Sequence, residues 1–378
     1  MNPLQTPQTE IRPRVVHVTT SHLADDVRIF ERECQSLAVS NLYDVYLVAT
    51  GDIDPNSKVT LIPLISSQKN RLSRFVSGPR KAAAISRAID ADLWHFHDPE
   101  LLPLAIRMAL SRKKVVWDAH EDYASQFTSN GAKKWIPKPA RKIVRAGMNF
   151  MLWLIDRFAS GIVAATPVIA SRYTNPQTVV VGNEARIEVF SHCQPKFTSR
   201  QVLFTGNPSE AHLFSQIVDA IVKIPDVNLA VAGREPDSNL WEQARLKLGD
   251  RLQHLGWLGR QDLAEAMNQS VLGLLTYADT DAYAVGSPTK GYEFAAAGLP
   301  VVASPNSMNR KMLSRSGAGF MAEDFSSQAL MTTITDALLD ENTWGAASRA
   351  GQIWAKDEGS WSGSQKRLFS LYEDVLLG

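Results

Sequence analysis

The stretch GSPTKGYEFAAAGLPVVAS, Gly286 to Ser304, decides the reading of this chain. It divides into a loop, a short helix, a turn and a strand. Proline is tolerated in the first turn of a helix, where its missing N–H would have no partner. Pro288 therefore opens a helix expected over Thr289 to Ala297. Gly298 supplies the left-handed residue that ends it. LPVVAS is then a continuous apolar run, as buried parallel strands show.

A helix that starts at the carboxyl end of a strand presents free N–H groups and the positive end of its dipole, which suits a phosphate. Lys290 lies in the first turn and opposes that dipole, so it makes sense beside a bound anion. Glu293, one turn on, can accept hydrogen bonds from a ribose diol. Elsewhere such residues would simply be solvated; the loop–helix–strand setting favours binding. Ala295, Ala296 and Ala297 permit close packing on a sheet.

Outward from this stretch, strand-like runs alternate with helical patterns. The first half holds RVVHVTT, DVYLVAT, VTLIPL, LWHFHD, KVVWDAH, SGIVAAT and TVVVGN. The second holds QVLFTG, VNLAVAG, RLQHLGWL, VLGLLTY, LPVVAS and AGFMA. Between them, RIFERECQSLAV places Phe30, Cys34, Leu37 and Ala38 at helical spacing. Such alternation implies α/β architecture with parallel sheets, here two doubly wound Rossmann-like domains. The polar segment Gly182 to Arg200 is the expected linker, giving domains at 1–190 and 191–355 and a closing helix at 356–378. Ligands of open α/β sheets bind at the carboxyl ends of the strands, so the cleft between the domains is the expected site.

The length of 378 residues suits two domains. With 40 Lys+Arg against 39 Asp+Glu there is no global field that would draw nucleic acid. Cys34 and Cys193 are too few for a disulfide framework or a cysteine metal cluster, which points to a reducing compartment. The start MNPLQTPQTEIRPR lacks the apolar core of a signal peptide. The apolar run MNFMLWLIDRFASGIVAAT is broken by Asp156 and Arg157 and is too charged to span a bilayer. A cytoplasmic protein is expected. VVHVTTSHLADD carries no glycine, which weighs against a dinucleotide-binding dehydrogenase.

SPTKGYEFAAAGLPVVAS resembles the nucleotide-sugar signature of family 4 (group 1) glycosyltransferases, in the branch written Pro-x-Lys-x-x-Glu. HLADDVRIFERECQSLA, HFHDPELLP, VVWDAHEDY, RFASGIVAATPVIASRY, VVVGNEARIEVF and SWSGSQKRLFSLYEDVL are similar, in order, to further elements of that family. The resemblance implies the GT-B fold: two Rossmann-like domains facing across a cleft, with the last helix crossing back to the first. It also implies a metal-independent retaining transfer from a nucleotide-diphosphate sugar, which is substrate rather than cofactor.

By the same resemblance, Glu293 holds the donor's ribose, while Ser287, Pro288, Thr289 and Lys290 contact its diphosphate. His120 approaches the transferred sugar, with Glu121 and Asp122 beside it and Asp118 on the same strand end; a core or capping histidine is the alternative. Asp26, Arg28, His97, Asp98 and Glu100 lie on the acceptor-side rim, although Asp26 and Arg28 could instead cap and pair within the first helix.

The chain departs from the family at three places. Val285 stands where a first glutamate is usual, leaving Asp279 or Asp281 as replacements. After LFTG and Gly206, the two expected bases are Asn207 and His212, so Arg234 or a protonated His212 would have to assist Lys290. Glu184 replaces the linker glycine.

The segment 133–157 sets Lys133, Lys134, Lys138, Arg141, Lys142 and Arg145 beside Trp135, Ile136 and MNFMLWLI. It suits either an anionic inner-leaflet surface or packing on the first domain. The resemblance implies a glycan or lipid-linked acceptor in bacterial surface polysaccharide synthesis. Rival readings are an isomerase like the nucleotide-sugar 2-epimerases, a degenerate transferase that only binds, and a transferase using a monophosphate-activated donor.

Overall fold

This computed structural model describes residues 12–64, 71–120, 138–234, 238–280, 287 and 289–378, with backbone alone at 71–76, 138–140 and 238. The chain divides into two compact units. Unit 1 is residues 1–181 with 365–378, and unit 2 is residues 182–364.

The described residues of unit 1 form a seven-stranded sheet in the order β3-β2-β1-β4-β5-β6-β7. The strands are β1 (Arg14–Leu23), β2 (Asp44–Thr50), β3 (Thr60–Pro63), β4 (Leu93–Phe96), β5 (Val115–Ala119), β6 (Gly161–Ala164) and β7 (Thr178–Val180). Every pairing is parallel. Strand order reverses direction between β1 and β4, the place where doubly wound sheets open a crevice at their carboxyl ends. Val15, Val16, Trp94, Phe96, Val116 and Trp117 are buried, so these strands read as largely apolar runs, interrupted by the buried His17, His95 and Asp118.

Helix α1 is π-helical over Val27–Cys34 and continues as an α-helix over Gln35–Val39. Then come α2 (Arg71–Ala88), α3 (Leu102–Leu110), α4 (Lys138–Phe158) and α5 (Pro167–Ala170).

Unit 2 carries a six-stranded parallel sheet in the order β10-β9-β8-β11-β12-β13. Its strands are β8 (Gln201–Thr205), β9 (Asn228–Ala232), β10 (Leu252–Gly256), β11 (Leu272–Leu275), β12 (Val301–Ala303) and β13 (Gly319–Met321). Its helices are α6 (Ile187–Phe190), α7 (Phe214–Val222), α8 (Ser238–Leu248), α9 (Arg260–Asn268), α10 (Thr289–Ala297), α11 (Ser307–Ser316), α12 (Ser327–Ala337) and α13 (Glu341–Asp357).

Helix α10 has the predicted bounds. Gly298 takes a φ of +70°, and the N–H of Leu299 donates to the Phe294 carbonyl at 2.9 Å, a glycine-terminated end. Its underside is close-packed: a Cβ on Gly273 of β11 would stand 2.9 Å from the Phe294 ring.

The segment expected as a linker packs within unit 2. Ala185 bridges to Ser360, and Phe190 and Cys193 are buried in the core. Its few buried anchors are too short a series to show periodicity. The last helix, α14 (Trp361–Leu377), contributes its residues from Gln365 onward to unit 1, where Leu368, Leu371 and Tyr372 are buried. Gly161 opens β6 because a Cβ there would meet Leu371 Cδ1 at 2.8 Å.

Candidate functional site

The donor-site candidates gather at the carboxyl ends of β8, β9, β10 and β11. Strand β8 runs out into Gly206, whose φ of +109° few side chains tolerate. Its N–H donates to the Ala232 carbonyl at 2.7 Å, so β8 and β9 stay joined past their ends. A Cβ on Gly206 would lie 2.5 Å from Lys290 Nζ. The missing side chain is therefore what lets the ammonium of α10 reach the β8 turn.

Lys290 Nζ also lies 5.1 Å from the centre of the Phe204 ring and 5.5 Å from that of Tyr277. Burial lowers its pKa to about 8, although Glu293 favours the charged form. A partly desolvated cation held between two aromatic faces is a strong point for an anion.

Glu293 is buried and accepts a hydrogen bond from Arg260 Nη1 at 2.7 Å. Arg260 is the first residue of α9, just past β10, so it stands on the same rim. Sequence reading missed it. The available signal was a basic residue directly after a strand–glycine turn, HLGWLGR.

Asn207 accepts, through Oδ1, a hydrogen bond from the Arg234 N–H at 3.1 Å. The Arg234 guanidinium is exposed and lies 5.0 Å from the Trp257 ring centre. His212 Nδ1 is 2.9 Å from Ser209 Oγ and 3.1 Å from the Asn207 carbonyl. Burial, with the Lys290 charge beside it, pushes its pKa down to about 4. His212 is consequently neutral at pH 7 in the ligand-free protein and does not replace the missing base by protonation. Instead it fastens loops: its carbonyl accepts from Thr276 Oγ1 at 2.8 Å.

Ser287 Oγ donates to Tyr292 Oη at 3.2 Å, and Tyr292 stacks on Trp354. Thr289 N–H closes on the Ser287 carbonyl at 3.0 Å. Asp279 is exposed. Asp281, Val285, Gly286 and Pro288 lie outside the described residues.

In unit 1 the rim residues are tied together. Asp118 on β5 accepts from Arg28 Nε at 3.0 Å and Nη2 at 2.9 Å, and His97 Nδ1 lies 3.0 Å away. Burial opposes its ionisation. The Arg28 guanidinium and hydrogen bonds from His120 and His97 nevertheless hold its carboxyl well below the usual carboxylate range. His120 keeps Nδ1 at 3.8 Å from Asp118 Oδ2 and packs edge-on against His22. Glu121 and Asp122 lie outside the described residues.

Of the acceptor-side candidates, Asp26 caps α1, accepting from the N–H groups of Arg28 and Ile29. Arg28 is buried against Asp118 and the Val181 carbonyl. His97 and Asp98 are buried too. Asp98 Oδ2 accepts from Thr19 Oγ1 at 2.7 Å and from the Ser21 N–H at 3.0 Å, fixing the carboxyl-terminal half of β1. Arg28, His97 and Asp98 thus lie buried at the rim, bonded to their neighbours within unit 1.

Residues 199–340 match the family model described as Glycosyl transferases group 1, a span that contains Gly206, Arg260, Lys290 and Glu293. No curated protein sequence matches the chain. Among solved structures, sucrose-phosphate synthase from Thermosynechococcus elongatus is similar with a TM-score of 0.74 at 15% identity, over 97% of this chain and 100% of that one. HepE from Anabaena, solved with UDP and glucose, gives 0.72 at 13% identity, over 96% and 100%. WaaG, a glycosyltransferase involved in lipopolysaccharide biosynthesis, gives 0.68 at 14%, over 94% and 99%. Likeness at such identities is one of fold, and the fold is GT-B.

Proposed function

We propose that this chain is a glycosyltransferase that moves a sugar from a nucleotide-diphosphate sugar to a glycan or lipid-linked acceptor. Transfer would retain anomeric configuration and use no metal at the reacting centre. The observation that carries the reading is the Lys290 ammonium at the Gly206 turn, with the Glu293–Arg260 pair one helical turn along α10. A turn rises about 5.4 Å, the right step between a diphosphate and its ribose. Lys290 would meet the phosphates, aided by Ser287, Thr289 and the exposed Arg234. Glu293 would accept from the ribose hydroxyls beside Arg260.

Leaving-group charge needs positive neighbours, and Lys290, Arg234 and Arg260 supply them where Asn207 and His212 do not. The group 1 match over residues 199–340 supports the donor side. HepE, solved with UDP-glucose, and WaaG support a nucleotide-sugar donor and a surface-glycan role. In unit 1, His120, with Nδ1 3.8 Å from Asp118 Oδ2, would approach the transferred sugar.

No helix among the described residues is long and apolar enough to cross a membrane. Helix α4 exposes Ile143, Phe150 and Trp153 alongside Lys142 and Arg145, which supports peripheral attachment to the inner leaflet of the cell membrane from the cytoplasm. A second reading, binding without transfer, is favoured by the uncharged Asn207 and the neutral His212.

The test is hydrolysis of a panel of UDP-, GDP-, ADP- and dTDP-sugars, with water accepting the sugar, followed as release of nucleoside diphosphate in the presence of a chelator. One donor class should turn over, and His120→Ala and Lys290→Ala should each slow it by about 10²-fold or more. Nucleotide binding without any turnover would favour the binding-only reading.

A further inference from the structure

Beneath α1, unit 1 holds a group of buried side chains that donor chemistry does not use. His17 on β1 pairs in register with His95 on β4, and His97 follows two residues after His95. The π-helical stretch of α1 brings Glu33 onto them; such turns recur at functional sites. All four residues are 0% exposed.

As a purely hydrogen-bonded core the group is incomplete. His17 Nδ1 meets His97 Nε2 at 2.9 Å, and Tyr372 Oη lies 2.7 Å from His95 Nδ1 and 3.0 Å from His17 Nε2. Yet neither carboxyl oxygen of Glu33 has a hydrogen-bond partner. Arg28 Nε, at 3.4 Å from Glu33 Oε1, is already bonded to Asp118. A fully buried carboxyl lacking donors calls for another partner.

We propose that His17, Glu33, His95 and His97 hold a divalent transition metal ion, of which Zn²⁺ fits best. One donor atom from each residue lies within 4.8 Å of all the others. A tetrahedral ion with bonds of about 2.0–2.1 Å sets its donors roughly 3.3 Å apart. Here the His17–His97 pair is 2.9 Å apart, and Glu33 Oε2 is 3.8 Å from both His17 Nδ1 and His95 Nδ1, spacings that bracket that value.

The outer partners are in place. His97 turns Nδ1 to Asp118 Oδ2 at 3.0 Å, the carboxylate–histidine–metal arrangement, and His17 turns Nε2 to Tyr372 Oη at 3.0 Å. Tyr372 gives up its contact with His95 Nδ1 in exchange. Three imidazoles and one carboxylate suit zinc, and a site closed to solvent makes its role structural. The ion would fasten α1, β1 and β4, leaving transfer in unit 2's donor site metal-free.

The test uses the full chain, expressed with added zinc, dialysed and assayed for metal by mass spectrometry. Wild type should retain one equivalent of Zn²⁺, and its Tm should fall on chelation and recover with Zn²⁺. Glu33→Gln and His95→Gln should lose the ion, and Tyr372→Phe should weaken it about 10-fold or more. If the variants fold poorly, Co²⁺ in the wild type should still give the intense absorption of a tetrahedral site. Folded wild type that holds no zinc and has a Tm indifferent to it would overturn the proposal. So would a full equivalent retained by both glutamine variants, since the ion would then sit elsewhere.

Discussion

In the proposed function, Lys290 is the residue on which donor binding turns. Its pKa in the free protein is about 8, because burial disfavours the charge. A diphosphate beside it favours that charge and raises the pKa in the complex. If Lys290 holds the diphosphate as proposed, affinity for that nucleotide should be complete below pH 8 and decline as pH rises from about 8 towards the pKa of the complex. Folding shows the opposite sign: the free protein gains stability as pH rises from about 8 towards the unfolded value of 10.5. Calorimetric titration of UDP across that range should show the decline in wild type, with a weaker and pH-flat response in Lys290→Met. Equal slopes in both proteins would remove Lys290 from the phosphate site. Lys290 and Glu293 were legible because their helix is punctuated by Pro288 and Gly298. Arg260 was not, since nothing local ties it to a partner 33 positions away. Nor was the charge state of His212, which depends on burial and on Lys290 across the fold.

At the scale of elements, α4 presents an unusual face. Ile143 is 75% exposed, Phe150 59% and Trp153 57%, and the Phe150 and Trp153 rings stack with centres 5.9 Å apart. Exposed aromatics beside Lys142, Arg145 and Arg157 suit an anionic bilayer surface. Wild type should co-sediment with phosphatidylglycerol vesicles, less so in high salt. Phe150→Ser with Trp153→Ser should reduce the bound fraction by about tenfold or more, since each ring buries roughly 1.5–3 kcal/mol of transfer energy. Binding unchanged by both substitutions would exclude this face. The basic cluster at 133–136 lies outside the described residues. Helix α1 was legible as a helix from Phe30, Cys34, Leu37 and Ala38. Its π-helical part was not, because one extra residue per turn over Val27–Cys34 barely disturbs that spacing.

For the molecule as a whole, each strand-like run of the sequence is a strand in one of the two parallel sheets. Strands buried on both faces are mainly apolar, so they stand out without an alignment. The polar interior of unit 1 stayed hidden, since His, Asp, Glu and Arg are residue types expected outside. The unit boundary was hidden too, because Phe190 and Cys193 anchor a segment that otherwise reads as solvent-facing. The central claim is that unit 2 binds a nucleotide diphosphate through α10. Its most direct test is calorimetry with UDP, GDP, ADP, TDP and CMP, without metal, on the wild type, Lys290→Ala and Glu293→Ala. The account predicts that one diphosphate binds and that each substitution weakens it by about 10- to 100-fold, as loss of a charge-assisted hydrogen bond does. No binding by any diphosphate, or binding indifferent to both substitutions, would contradict it.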